Sequence, residues 1–219
     1  DIGDWDTSGV GDFSYAFSKH RNKAGGSYVK DGNPNAATFV GTAISKWNTA
    51  SATSLAYTFF KASEMNADLS GWKVGKVVTL ENTFYHALKF TGTGVGKWNI
   101  ASVKSLDTTF SGAGEMNADL TSWDVAKVTT LKSTFFGASK LEGTGLFKWN
   151  VANVTTMSST FTSTTSLTTC NKRKIADAWK SSAVFEATSY HTDWKLEPWC
   201  IGAKLTDALF KAASWGTYV

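Results

Sequence analysis

One segment decides the fold of this chain: residues 149–161, with the sequence WNVANVTTMSSTF. Its tryptophan returns every 25 or 26 residues, at Trp47, Trp72, Trp98, Trp123 and Trp149. A constant period of this length is typical of repeat proteins, whose units stack side by side. The period therefore predicts the architecture before any side-chain chemistry is considered.

The residues after each tryptophan repeat with it. Leu or Met stands eight positions later, and Phe stands twelve positions later. A leading copy begins at Trp5, and a long insertion places it 42 residues ahead of Trp47. We call the copies coils 1 to 6; they begin at Trp5, Trp47, Trp72, Trp98, Trp123 and Trp149. The expected core ladder consists of Trp47, Trp72, Trp98, Trp123, Trp149, Phe59, Phe84, Phe110, Phe135 and Phe161.

A single coil cannot bury its own large apolar side chains, so stacked coils must share a core. Within residues 128–135 (VTTLKSTF), two side-chain sets alternate and β-branched residues dominate, which predicts a strand. The sequence therefore predicts a β-rich, leucine-rich-repeat-like solenoid. About six coils of 25–26 residues would pair through a parallel β ladder, and a helical cap would close the C-terminal end.

The chain divides into three predicted segments. Residues 1–46 form a leading repeat with a long insertion, residues 47–170 form five Trp-containing repeats, and residues 171–219 form a C-terminal cap with a disulfide and a helical tail. A capping helix is predicted over residues 171–182, because Ile175 and Trp179 are four residues apart and would face the last coil. The remaining lid residues are expected to be Val184, Phe185, Trp194 and Trp199.

The helical tail beyond residue 200 is the predicted partner-docking element. Its apolar residues are Leu205, Leu209, Phe210 and Trp215. This amphipathic segment either packs back on the cap or inserts into another protein.

The two cysteines, Cys170 and Cys200, flank the cap. They predict a disulfide, which favours an oxidising compartment. The alternative is a pair of buried free thiols. With the disulfide, the expected location is extracytosolic: the cell surface, the medium, or an oxidising organelle lumen such as a thylakoid lumen.

Several columns agree in six copies with a known motif: an Asp/Asn-flanked Trp, then Val, Val-Thr, Met or Leu, and Phe. Residues 149–161 match it best, and the chain over about residues 1–170 resembles the bacterial-surface-protein-type leucine-rich repeats, also called the domain of unknown function 285. Residues 170–179 (CNKRKIADAW) also resemble the closing segment of versions found in unicellular algae. The resemblance implies adhesion or protein binding and no enzymatic activity.

No pattern in the chain predicts catalysis, a cofactor or a metal site. The three histidines have no metal-ligand spacing, and residues 92–97 (GTGVGK) have the wrong spacing for a phosphate loop. The net charge of +4 is scattered rather than gathered in a basic stripe, so no nucleic-acid partner is expected. No apolar stretch is long enough to cross a membrane.

Two polar files are expected to project outward. One consists of Thr58, Thr83, Thr109, Thr134 and Thr160, and the other of Ser54, Thr79, Ser105, Thr130 and Thr156. Flat files of this kind resemble ice-binding surfaces, and this is a distant alternative function.

The main functional prediction is a non-enzymatic protein-interaction or structural module with one or more protein partners. The alternative is an accessory subunit stably bound in a large complex of an alga, for example a photosynthetic complex of an organellar membrane. A hydrolase or glycan-lyase activity is a third and more distant reading.

Overall fold

The computed structural model describes residues 2–21 and 29–198. Short 3-10 helices span Ile2–Asp4, Pro34–Thr38, Thr42–Lys46, Val95–Lys97 and Leu146–Lys148. After the last coil come three described α-helices: α1 spans Thr169–Trp179, α2 spans Ala183–Glu186 and α3 spans Ser189–Trp194. None of the described helices is long and apolar enough to cross a membrane.

Successive coils lie parallel and each packs on the next. Isolated parallel bridges join Asp12 to Ser54, Ser54 to Thr79, Thr79 to Ser105, Ser105 to Thr130 and Thr130 to Thr156. Each of these residues stands seven positions after the tryptophan of its coil. Residues at equal positions therefore lie beside one another along the stack.

The predicted β-rich, leucine-rich-repeat-like solenoid is wrong, because the described residues contain no strand. The cause is a residue with positive φ in every coil, ten positions after the tryptophan. These residues are Tyr15, Tyr57, Asn82, Thr108, Ser133 and Ser159, with φ between 50° and 62°. A left-handed residue leaves the extended region of φ/ψ space. The strand expected at residues 128–135 is therefore interrupted at Ser133.

Two interleaved sets of hydrogen bonds take the place of the expected parallel β ladder. Alternate amides of residues 106–112 donate to the next coil, as the Phe110 amide does to the Thr134 carbonyl at 2.9 Å. The amides between them close tight turns, as the Thr109 amide does with the Leu106 carbonyl at 3.2 Å. Each coil is therefore a run of overlapping turns that pairs with its neighbour at every second residue.

The aromatic residues of the expected core ladder are all buried, with at most 5% of their surface exposed. The ring centroids of Trp72 and Trp98 lie 6.4 Å apart and those of Phe84 and Phe110 lie 5.4 Å apart, in nearly parallel planes. This piling of like side chains gives the coils one continuous core.

The indole nitrogens form a second ladder inside the core. Trp98 Nε1 donates to the Leu69 carbonyl at 3.1 Å, and Trp123 Nε1 donates to the Val95 carbonyl at 2.8 Å. In each case the acceptor is the carbonyl of the residue three positions before the tryptophan of the preceding coil. For Trp47 of coil 2 this residue is Ile2, three positions before Trp5. These bonds satisfy a donor that burial would otherwise leave unpaired.

One of the two polar files predicted to face outward lies inside the molecule. Thr58, Thr83, Thr109, Thr134 and Thr160 are at most 1% exposed. The Thr83 hydroxyl donates to the carbonyls of Leu55 and Leu80 at 2.9 and 2.8 Å, so it connects two coils. The left-handed residue just before each threonine turns the threonine side chain inward. The alternation of side chains in a regular strand had predicted the opposite side. The other file, from Ser54 to Thr156, is partly exposed at the bridges.

The C-terminal end of the stack is covered by the three α-helices. The Thr168 hydroxyl caps α1 by accepting from the Asn171 amide. Ile175 and Trp179 are fully buried, and Trp179 stacks on Trp149 with centroids 6.3 Å apart. Of the other expected lid residues, Phe185 and Trp194 are buried and Val184 packs against the core.

Some predicted features fall on residues outside the described ranges. They are Trp199, the Cys200 half of the predicted disulfide, and the tail residues Leu205, Leu209, Phe210 and Trp215. Cys170, the only cysteine among the described residues, is disulfide-bonded, and its predicted partner Cys200 lies outside them.

Candidate recognition surface at the N-terminal end of the stack

The N-terminal end of the stack presents an apolar recess of about 500 Å³. We call it the head recess; it is lined by Ile2, Trp5, Thr7, Val10, Asp12, Phe13, Ser14, Tyr15, Ala16, Phe17, Arg21 and Trp47. These are Ile2, residues from Trp5 onward in coil 1, and Trp47 of coil 2. The recess is therefore the open face of the same core that the α-helices cover at the other end.

Trp5 is the most exposed aromatic residue of this surface. Its ring stacks on Trp47 with centroids 6.2 Å apart, yet 62% of its surface is exposed. Trp98, at the same position in coil 4, is 2% exposed because coil 3 lies above it. An exposed tryptophan above an apolar recess is a frequent anchor for protein partners.

The insertion after coil 1 covers one side of this end. Phe39 stacks on Phe17 with centroids 4.2 Å apart, just as Phe90 stacks on Phe84 in coil 3. Phe39 stands eight residues before Trp47, and Phe90 stands eight before Trp98. The insertion therefore returns to the repeat register before coil 2, and its described residues leave the Trp5 side of the end uncovered.

Charged groups beside the insertion hold it to coil 1. Lys19 Nζ lies 3.3 Å from the Asp31 carboxylate, and His20 Nε2 lies 3.7 Å from the same oxygen. The hydrogen bond from Lys19 lowers the pKa of Asp31, and burial lowers the pKa of His20. His20 occupies the position that Ala62 and Ala87 fill in coils 2 and 3. These groups act in packing the insertion and do not reach the apolar part of the recess.

A second aromatic cluster lies on the side of coils 1 to 3. Tyr15 stacks on Tyr57 at 4.7 Å, and Phe60 stacks on Tyr85 at 4.6 Å. Burial, followed by the nearby Glu81 carboxylate, raises the pKa of Tyr57 to about 12. These rings stack on one another along the side of coils 1 to 3, and Tyr15 also lines the head recess.

Acidic side chains at the turns have structural roles. The Asp68 and Asp119 carboxylates accept from the amides of Ser70 and Thr121 at 2.8 and 2.9 Å. The residue after the tryptophan acts in the same way in every coil except coil 3, where it is Lys73. The side chains of Asp6, Asn48, Asn99, Asp124 and Asn150 each accept from the amide two residues on. In the described residues no group of three His, Cys, Asp or Glu is placed to hold a metal ion.

The sequence analysis predicted the C-terminal tail as the docking element. It did not identify Trp5, Asp12 and Arg21 as one surface. The signal that could have found this surface is the repeat itself, because coil 1 carries the same apolar columns as the later coils.

Comparison with known proteins identifies the family. A model of the family described as "Mycoplasma protein of unknown function, DUF285" matches residues 33–93 and 89–199. The chain therefore belongs to this family, and the match does not confirm the leucine-rich-repeat description. No curated protein and no solved structure matches the chain.

Proposed function

We propose that this protein is a non-enzymatic recognition module that binds another protein through the head recess. The observation that supports the proposal is the exposed Trp5 above an apolar recess of about 500 Å³. Isolated exposed apolar residues are common on protein surfaces, whereas a contiguous concave apolar patch marks an interaction site.

The contrast between the two ends of the stack favours this site over the sides. At the C-terminal end, α1 to α3 bury Trp149 and Phe161 to within 3% and 4% exposure. The sides carry the turn hydrogen bonds and scattered charges of both signs, such as the pair of Lys132 and Asp107. An apolar surface large enough to anchor a partner is thus found at the head of the described stack.

The test compares capture of partners from an extract of the source organism by three forms of the immobilised chain. Trp5→Ser removes the exposed anchor, and Leu196→Ser removes a side chain that is 77% exposed at the opposite end. We expect the wild type and Leu196→Ser to retain the same proteins and Trp5→Ser to lose at least about tenfold of the bound amount, as loss of a central aromatic anchor does.

Thermal melting of each variant serves as the control for folding. Because both substituted side chains are largely exposed, each variant should melt close to the wild type. Equal capture by all three forms would contradict the proposal, since the recess would then have no part in binding.

A further inference from the structure

The backbone at each junction between coils follows one rule. At a junction, the upper coil is the one that comes first in the chain and the lower coil is the one that follows it. Four alternate amides of the upper coil donate to four alternate carbonyls of the lower coil. Between coils 1 and 2 the bonds run from Phe13 to Ser54 at 3.1 Å, Tyr15 to Ala56 at 3.1 Å, Phe17 to Thr58 at 2.8 Å and Lys19 to Phe60 at 2.9 Å. Every lower coil therefore presents a row of acceptors that an amide-bearing segment satisfies.

Coil 1 presents the same row at its own upper edge. By position, its acceptors are the carbonyls of Asp12, Ser14, Ala16 and Ser18. Side chains fill two of them: Arg21 Nη1 donates to Ala16 at 2.6 Å, and Asn33 Nδ2 donates to Ser18 at 3.3 Å. The Asp12 and Ser14 carbonyls accept no hydrogen bond from the described residues. Within residues 2–21 and 29–198, half of the edge is therefore without donors, and it adjoins the head recess.

We infer that the head recess binds an extended segment of another protein, which adds to the stack as a further coil. Two of its amides, two residues apart, donate to the Asp12 and Ser14 carbonyls. A large apolar side chain of the segment enters the recess over Trp5 and Phe17. This inference rests on the proposed function and specifies the chemistry of the partner. Strand-like addition of a peptide to an open edge is an established mode of recognition.

A second copy of this chain fits the edge poorly. Two heads placed face to face would oppose carbonyl to carbonyl, so neither edge would supply the donors that the other lacks. A head cannot pair with the other end of the stack either, because α1 to α3 cover it. The edge therefore requires a segment whose backbone amides are free to donate hydrogen bonds.

The C-terminal end shows what kind of side chain completes this core. There Trp179 stacks on Trp149 at 6.3 Å and lies 6.0 Å from the ring of Phe161. One indole from outside the repeats thus covers both aromatic columns. The same two columns reach the head as Trp5 and Phe17, so an aromatic or large aliphatic residue is the matching anchor.

The probe for this inference is a peptide copied from the chain itself, residues 98–112 (WNIASVKSLDTTFSG). In the protein, the Leu106 and Thr108 amides of this segment donate to the Thr130 and Lys132 carbonyls of the next coil at 3.2 and 2.9 Å. Those carbonyls occupy the same positions as Asp12 and Ser14. The labelled peptide is titrated with the full chain, and binding is followed by fluorescence anisotropy.

We expect saturable binding that depends on two amides and on Trp5. Peptide N-methylated at Leu106 and Thr108 should bind at least about tenfold more weakly, because it loses its two hydrogen bonds to the Asp12 and Ser14 carbonyls. N-methylation at Ser105 is the matched control, since the amide of Ser105 makes no hydrogen bond within the described stack. Trp5→Ser should weaken binding at least about tenfold, and Leu196→Ser should leave it unchanged.

Four results would overturn the inference. The first is failure of the unmodified peptide to bind, and the second is equal binding of the parent and doubly N-methylated peptides. The third is Trp5-dependent self-association in analytical ultracentrifugation, which would make the occupant a second copy. The fourth is tighter binding of the peptide by the Leu209→Asp variant, which would mean that the chain's own tail occupies the recess in the wild type. If peptide binding fails while Trp5-dependent capture from the extract persists, only this inference falls; if capture is also independent of Trp5, the proposed function falls with it.

Discussion

At the scale of single residues, the tryptophan column has two kinds of member. Trp98 is 2% exposed and its Nε1 donates to the Leu69 carbonyl at 3.1 Å. Trp179 is fully buried and stacks like a further member of the column, but its Nε1 has no hydrogen-bond partner among the described residues. A buried donor without a partner costs free energy, whereas a satisfied one contributes to stability.

This difference predicts unequal effects of the same substitution. Trp98→Phe and Trp179→Phe each replace an indole ring with a phenyl ring, but only Trp98→Phe breaks a hydrogen bond. We expect Trp98→Phe to lower the free energy of unfolding by about 1–2 kcal/mol more than Trp179→Phe does. Urea unfolding followed by circular dichroism measures both. Equal losses would mean that the indole ladder does not contribute to stability.

The lowered pKa values of two aspartates in the turns predict part of the loss of folding stability at low pH. The backbone amide of Ser70 is the main cause of the lowered pKa of Asp68, and the Thr121 hydroxyl is the main cause of the lowered pKa of Asp119. Because their pKa values are lower in the folded state, their contribution is present above the unfolded pKa of about 3.9 and is lost as the pH falls through the folded values.

The matched variant is Asp68→Asn/Asp119→Asn, which keeps an oxygen acceptor, as Asn48 and Asn99 do naturally in their own turns. The urea midpoint of the wild type should fall as the pH is lowered below about 4, and that of the variant should fall less. Parallel midpoints across that range would show that these carboxylates do not contribute to acid sensitivity.

At the scale of elements, the return loops depend on glycines that allow close approach of neighbouring coils. Gly94 has φ of 89°, and a Cβ at this position would overlap the backbone of Leu69 and Ser70. Gly145 repeats this arrangement two coils later, against Thr121. Both glycines precede short 3-10 helices that lead into a tryptophan.

Gly94→Ala should therefore destabilise the protein by about 2 kcal/mol or more, through backbone strain and overlap with the preceding coil. Gly9→Ala is the control, because a Cβ there meets nothing within 4 Å. We expect the control to change the free energy of unfolding by about 0.5 kcal/mol or less. Differential scanning calorimetry compares the two, and similar melting temperatures for both variants would refute the close-approach argument.

The elements also show where sequence reasoning failed. The alternation in residues 128–135 predicted a strand, and the β propensity of threonine and valine supported it. Neither signal reports the left-handed residue at Ser133, which is not glycine. Ser, Thr and Tyr rarely adopt positive φ in isolation. They adopt it here at the same position of every coil, because each coil follows the backbone path of the coil on which it packs.

At the scale of the whole molecule, each inner coil is held by two neighbours and coil 1 by coil 2 and part of the insertion. The free energy of local opening in a stack of this kind depends on such nearest-neighbour contacts. The Phe110 amide, bonded to Thr134 at 2.9 Å, lies in the middle of the stack. The Phe17 amide, bonded to Thr58 at 2.8 Å, lies at the open head.

We therefore predict a gradient of hydrogen exchange along the chain. The Phe110 amide should exchange at least about tenfold more slowly than the Phe17 amide, although their hydrogen bonds are of similar length. Native-state exchange measured by NMR tests this directly. Equal protection at the two sites would indicate that the stack opens only as one unit. Addition of the peptide of residues 98–112 should slow the Phe17 amide and leave the Phe110 amide unchanged.

The sequence alone determined the repeat, its period, the aromatic columns of the core and the helical closure at the C-terminal end. These follow from apolar side chains that recur at a fixed spacing, because water drives such residues into a shared interior wherever the backbone allows it. Only the tertiary structure decided the backbone path within a coil, the inward turn of the threonine file, and the open acceptor edge beside Trp5. These depend on which amide meets which carbonyl in a neighbouring coil, and such pairings between distant residues leave no periodic mark of their own in the chain.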